Sequence, residues 1–265
     1  MKVRALLPVL LLALSCNGTT GYDLVQFYAA ASGPKDAVAG KPYAFDAGGH
    51  HVVLTKATLH VGAMYLIQSR PSSGAGAEPC TLPETYVGEV RGGTNIDLLD
   101  PSLQEFPVIG DGSTLPALSG QVWLTHGDVN ADQDSADGAP ILALEGTVDV
   151  GAPATPFSAS VHIDTGNRIV SQPSSASPGA SPICQLRIVT PIPTDITLAQ
   201  GGTLVLRVDP KALFNNADLT QLPKCGAGLC FSDSASDGDQ PSINLFQNLT
   251  GAGAVYRFDW LSTAP

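Results

Sequence analysis

HVVLTKATLHVGAMYLIQ, residues 51–68, is the longest apolar stretch of the chain beyond its N-terminal segment. Val52, Val53, Thr55, Thr58, Val61 and Ile67 are β-branched, and Gly62 sits near the middle. Branched side chains pack well on a pleated surface, whereas an interior glycine weakens a regular element and marks a bulge or break. The stretch is therefore expected to form one long strand with a bulge, or two strands in sequence. Working outward, further strands are expected at residues 23–29, 86–91, 121–126, 141–150, 157–164, 184–190, 203–209 and 255–261.

Several of these alternate. Leu204, Leu206 and Val208 are interleaved with Val205 and Arg207, and Tyr256, Phe258 and Trp260 share one face opposite Val255, Arg257 and Asp259. Period-2 patterning with a polar side is the mark of antiparallel sheets with one buried face. Gly, Pro, Ser and Asp cluster between the strands, notably at 71–79 and 171–182. No recurring helical pattern separates the strands, which argues against a βαβ architecture. Two short helices are expected: one capped by Asp209, with Pro210 at its first position and an end near Asn216, and one over residues 241–248. The fold class is all-β, an antiparallel β-sandwich or a related β-barrel-like domain with one or two short helices. It should form a single domain over residues 23–265.

Composition narrows the partners. An apolar content of 43% against 14% charged residues excludes a disordered chain. A net charge of −11 with 13 Lys and Arg makes nucleic acid a poor partner, because phosphate binding needs clustered cations.

The N-terminus carries Lys2 and Arg4, followed by ten residues, ALLPVLLLAL, at 5–14. Spanning a bilayer takes ~20 apolar residues, so this run has the length of a secretion-signal core instead. It ends in Ala13-Leu14-Ser15-Cys16, which resembles the lipobox of bacterial lipoproteins, with Ala13 where that motif prefers Leu. The resemblance implies removal of residues 1–15, lipidation of Cys16, a short tether over 16–22 and a membrane-anchored protein of the cell envelope. Asn17 after the cysteine weakly favours the outer membrane, because Asp there resembles an inner-membrane retention signal.

Setting Cys16 aside leaves Cys80, Cys184, Cys225 and Cys230, an even set suited to an oxidising compartment. Three pairings are possible; Cys225 with Cys230 and Cys80 with Cys184 are favoured. A redox or metal role for Cys225-x4-Cys230 would more usually take the C-x-x-C spacing.

One segment carries recognisable ligand chemistry. Asp128, Asn130, Asp132 and Asp134 alternate along a loop, with Asp137 beyond them, and resemble the opening of Ca2+-binding loops of the EF-hand and dockerin type. The likeness covers positions 1, 3 and 5 of such a loop. It then departs, with Gln133 where the turn glycine belongs and Ala139 where the closing carboxylate belongs. The alternative is a solvated acidic turn. A second acidic stretch contains Asp233, Asp237 and Asp239, which could hold another cation or join the first in space.

Histidines offer a different metal chemistry. His50 and His51 are the pair to weigh for copper or zinc, with His60, His126 and His162 elsewhere. In an unbroken strand His51 and His60 point to opposite faces and His50 and His60 share one, about 30 Å apart. No H-E-x-x-H, G-x-S-x-G, P-loop or dinucleotide fingerprint is present. The expectation is a lipid-anchored extracytoplasmic binding or structural module, stabilised by Ca2+, with an envelope protein or polysaccharide as partner. The alternatives are a secreted carboxylate-dependent hydrolase and a periplasmic transition-metal-handling protein.

Overall fold

The computed structural model describes residues 22–69, 85–127, 129, 135–150, 153–164, 186–233 and 238–265. The chain is all-β, a sandwich of two sheets. Its strands are β1 (Leu24–Ser32), β2 (Tyr43–Ala47), β3 (His50–Val61), β4 (Ala63–Ile67), β5 (Tyr86–Val90), β6 (Thr94–Asp97), β7 (Gln104–Glu105) and β8 (Gly110–Ser113). They continue with β9 (Pro116–Trp123), β10 (Leu142–Val148), β11 (Thr155–Val161), β12 (Ile188–Thr197), β13 (Thr203–Val208), β14 (Lys224–Cys225), β15 (Gly228–Cys230) and β16 (Tyr256–Leu261).

The larger sheet runs β12-β9-β4-β5-β8-β1-β13-β16, with β7 added at β1; the smaller runs β14-β15-β11-β10-β3-β2, with β6 added at β3. Strands β12 and β16 at the two ends of the larger sheet come into contact, so that sheet curls toward a barrel. Most pairs are antiparallel, but β1 pairs β13 and β11 pairs β15 in parallel. Residues far apart in sequence meet in both pairs, which is why strand periodicity alone did not indicate them.

The stretch at 51–68 is two strands in two different sheets. β3 belongs to the smaller and β4 to the larger, and Gly62 alone separates them. Gly62 N–H donates to the Trp123 carbonyl at 2.8 Å. A Cβ on Gly62 would stand 2.2 Å from the Thr125 carbonyl oxygen, so only glycine lets the chain pass between the layers here. A second irregularity lies inside β3. Its register with β10 passes from Lys56 opposite Glu145 to Leu54 opposite Gly146, leaving Thr55 as the extra residue of a bulge. Val52 and Leu54 are buried before it, and Ala57, Leu59 and Val61 after it. The inward parity therefore switches at residues 55–56, and His51 and His60 share the outward side. That corrects the assignment expected for an unbroken strand.

Two boundaries also move. The strand expected at 121–126 is β9, which begins at Pro116 and stops before His126. The strand expected at 184–190 is β12, which runs through Pro191 and Pro193 to Thr197. Proline reads as a breaker, yet β12 is the first strand of its sheet, where a missing N–H is tolerated. The short strands β2, β6, β7 and β8 carried little pattern of their own; β8 is Gly-Asp-Gly-Ser.

The inward faces share one core. Phe27, Met64, Leu66, Val122 and Leu206 from the larger sheet join Leu54, Leu59, Leu144 and Phe157 from the smaller in one cluster of buried side chains. The helix expected after Asp209 is a 3-10 helix, Pro210–Phe214, with Asp209 accepting from the Lys211 N–H at 3.0 Å. Another 3-10 turn follows at Leu219–Gln221. The second expected helix is α1 (Gln240–Thr250), capped by Asp239, which accepts from the Ser242 N–H at 2.9 Å. Leu245 and Leu249 of α1 and Leu213 and Phe214 of the first 3-10 helix belong to the same core.

Candidate functional site

Cys16, Cys80, Cys184, Asp128, Asn130, Asp132 and Asp134 lie outside the described residues. Cys225 and Cys230 form a disulfide across the β14–β15 hairpin. Asp137 is engaged in a turn: its carboxylate accepts from the Ser135 hydroxyl and from the Ala139 N–H at 3.1 Å. These bonds, the Ser135 hydroxyl foremost, hold its pKa below the ordinary carboxylate value.

His50 and His51 each have a carboxylate of their own. His51 Nδ1 lies 3.0 Å from Asp46 on the neighbouring strand, and His50 Nδ1 lies 3.5 Å from Asp149. Asp149 also accepts from the His51 backbone N–H at 2.6 Å. Consecutive strand residues point to opposite faces, so the two imidazoles do not converge on one ion.

The histidines that do converge are His60, near the end of β3, and His126, just after β9. Their rings stack with centroids 3.8 Å apart and planes inclined by 23°. Local structure sets both side chains. His60 N–H donates to the Ile141 carbonyl at 2.8 Å, and β3 pairs β6 with His60 opposite Asn95. Asn95 Oδ1 accepts from His60 Nδ1 at 2.8 Å, which in the neutral ring puts the lone pair on Nε2. Gly93 packs beneath this ring: a Cβ there would lie 2.9 Å from Nε2. His126 follows Thr125, whose hydroxyl accepts from the Gly127 N–H at 3.1 Å and turns the chain.

His162 ties this region together. Its Nδ1 lies 2.7 Å from Asp233 Oδ2 and its Nε2 lies 2.9 Å from the Gly138 carbonyl oxygen. The Asp233 carboxylate also accepts from the His162 backbone N–H at 3.0 Å. Both ring nitrogens face oxygen acceptors, an arrangement that the doubly protonated ring satisfies in full. Burial by itself lowers the His162 pKa. The bonds to Asp233 and Gly138, with the charges of Asp233 and Asp164, outweigh burial and leave the pKa above its ordinary value. His162 thus joins the two acidic segments, one at Gly138 and the other at Asp233. Asp239, at the end of the second segment, is taken up by capping α1.

Arg187 was not singled out from the sequence, yet it is the largest fully buried side chain among the described residues. It donates from Nε to the Ile163 carbonyl at 2.8 Å and from Nη1 to the Val129 carbonyl at 3.0 Å. Ile163 adjoins His162, and Val129 packs with Trp123 and Ile188, so the guanidinium fastens the loops on either side of the site. A lone arginine in the apolar context Cys-Gln-Leu-Arg-Ile-Val was the available signal.

Among the described residues, no group of three or more His, Cys, Asp or Glu side chains stands close enough to hold a metal ion. The His60 and His126 imidazoles are brought together face to face. A donor lone pair lies in its ring plane, so sharing one ion would require the rings to turn out of this stack.

No family model matches the chain, and no curated protein matches it. Among solved structures, MbnP from Methylosinus trichosporium is similar, at 12% identity over 85% of this chain and 87% of that one, with a TM-score of 0.44.

Proposed function

We propose that the chain is a lipid-anchored, extracytoplasmic binding module of the bacterial envelope that handles a borderline divalent transition metal at its His60–His126 end. The stacked, Asn95-oriented imidazole pair carries the reading of the site. An oxygen acceptor fixing one ring nitrogen is the arrangement by which metal-ligating histidines are held, and imidazole suits zinc and copper. Asp128, Asn130, Asp132 and Asp134 follow His126 in the sequence and carry side-chain oxygens. The same residues make Ca2+ the second reading, since a hard cation prefers oxygen alone. The secretion signal ending at Cys16 supports export and anchoring, and the Cys225–Cys230 disulfide suits an oxidising compartment.

Titration calorimetry of the metal-stripped protein with Zn2+, Cu2+ and Ca2+ tests the site. Zn2+ or Cu2+ should bind saturably and His60→Ala and His126→Ala should each abolish it. Heat from Ca2+ alone, lost in Asp132→Ala and Asp134→Ala, would replace the transition-metal reading with the calcium one. Mass spectrometry of the native N-terminus tests the anchor: an unmodified Cys16 or a retained leader would remove it.

A further inference from the structure

The outer face of the larger sheet, away from the histidines, holds a groove of about 550 Å³ over β1, β5 and β8. Glu89, Asp111 and Gln26 line it in register across β5, β8 and β1, and Tyr65 on β4 continues the row beyond the groove. Tyr65 stands opposite Glu89, Glu89 opposite Asp111, and Asp111 opposite Gln26. Gln26 is exposed between the buried Val25 and Phe27, and Tyr65 stands between the buried Met64 and Leu66, so the row faces away from the core. At ~4.8 Å per strand the three lining residues span about 10 Å, and Tyr65 extends the polar row by one strand more.

Two carboxylates directly opposite on neighbouring strands repel, and such pairs are destabilising. Each is already partly answered: Glu89 by Arg91 at 3.3 Å, and Asp111 by Gln26 Nε2 at 3.2 Å. The remaining demand of the pair is for hydrogen-bond donors more than for positive charge. The glutamines extend the pattern. Gln200 Oε1 accepts from the Gln26 backbone N–H at 2.9 Å. With Gln26 Nε2 engaged as well, an Oε1 acceptor on Gln26 and an Nε2 donor on Gln200 stand beside the carboxylates. Apolar surface closes the groove. Leu24 is 87% exposed at one side, and Tyr86 at the other packs against Tyr65 with ring centroids 4.9 Å apart.

Neutral donors and acceptors beside a paired-acceptor centre and an aromatic wall match a ligand that presents many hydroxyls and apolar C–H faces. We infer that this groove binds an uncharged oligosaccharide. It is a second ligand of the proposed binding module and shares no residue with the His60–His126 pair. The sugar hydroxyls donate to Glu89 and Asp111, the glutamine amides take the neighbouring positions, and a ring face lies against Tyr86.

Calorimetric titration of the full-length protein in detergent with chitohexaose and with cellohexaose, both in the presence of a chelator, tests the inference. Saturable binding of either sugar is expected, weakened on the order of tenfold by Gln26→Ala and by Asp111→Ala. Gln26 is exposed, so an unchanged melting temperature in Gln26→Ala separates lost contact from lost fold. His126→Ala should bind sugar as the parent does, which keeps this result independent of the metal site. Silence with both sugars, or sugar binding indifferent to the Gln26 and Asp111 changes, overturns the inference. Binding of hexalysine with neither sugar overturns it in favour of a cationic peptide.

Discussion

His162 Nδ1 lies 2.7 Å from Oδ2 of Asp233, 71 residues further along the chain, and the same ring reaches the Gly138 carbonyl through Nε2 at 2.9 Å. One imidazole thus holds two acidic segments together beside the stacked His60–His126 pair.

This bond predicts a pH dependence. The His162 pKa is raised in the folded state above the ordinary 6.5, so its contribution to stability is fully present below that value. It is lost as pH rises through the folded pKa. Thermal unfolding followed from about pH 5 to about pH 9 should show a decline in the parent that His162→Gln flattens. Equal slopes in the two proteins would show that the contact contributes no linked stability.

Replacing Arg187 should loosen the same end. Arg187→Leu leaves the Ile163 and Val129 carbonyls without their charged donor, a loss of about 2–4 kcal/mol in unfolding free energy. Denaturant unfolding measures it, and the His126 ring resonances should shift in the same variant. A change within about 0.5 kcal/mol, the range of ordinary surface substitutions, would contradict the role assigned to this side chain.

Two glycines are expected to resist enlargement for different reasons. In Gly62→Ala the methyl meets the Thr125 carbonyl oxygen at 2.2 Å, and the strain should destabilise by about 1–3 kcal/mol. In Gly93→Ala the methyl meets the Val61 carbonyl at 2.8 Å and His60 Nε2 at 2.9 Å, so metal affinity should fall along with stability. Chemical denaturation compared with metal titration separates the two. Full metal affinity in Gly93→Ala would place the ion elsewhere.

The Cys225–Cys230 bridge closes a loop of only a few residues. Loss of so short a loop closure, in the Cys225→Ser and Cys230→Ser double variant, should reduce stability by about 2 kcal/mol. The difference is read by denaturant unfolding under non-reducing conditions, and it should vanish when both proteins are reduced. A difference that persists under reduction would point to packing of the hairpin instead of the cross-link.

Much of the fold was legible because it depends on neighbours in sequence. The β-branched run broken by Gly62, the shared face of Tyr256, Phe258 and Trp260, and the Asp209-Pro210 cap are short-range features, and each marks an element that forms. The site was less legible. His50 and His51 were conspicuous as a pair, but adjacent strand positions diverge, and each ring finds a separate carboxylate. His60 and His126 were unremarkable in sequence because their meeting depends on β4 lying between β5 and β9, and on the chain crossing sheets at Gly62.

The sequence by itself determined that the chain would be built of strands, that Gly62 would interrupt the longest of them as a bulge or as a break, and which cysteines could close the 225–230 hairpin. Tertiary structure alone decided that β1 pairs β13 in parallel, that a bulge at Thr55 turns His51 and His60 to the same side, and that His162 joins Gly138 to Asp233. The physical reason is range. Backbone preference and side-chain alternation act over a few residues, whereas a contact across 71 residues exists only once the order of strands in two sheets has brought its ends together.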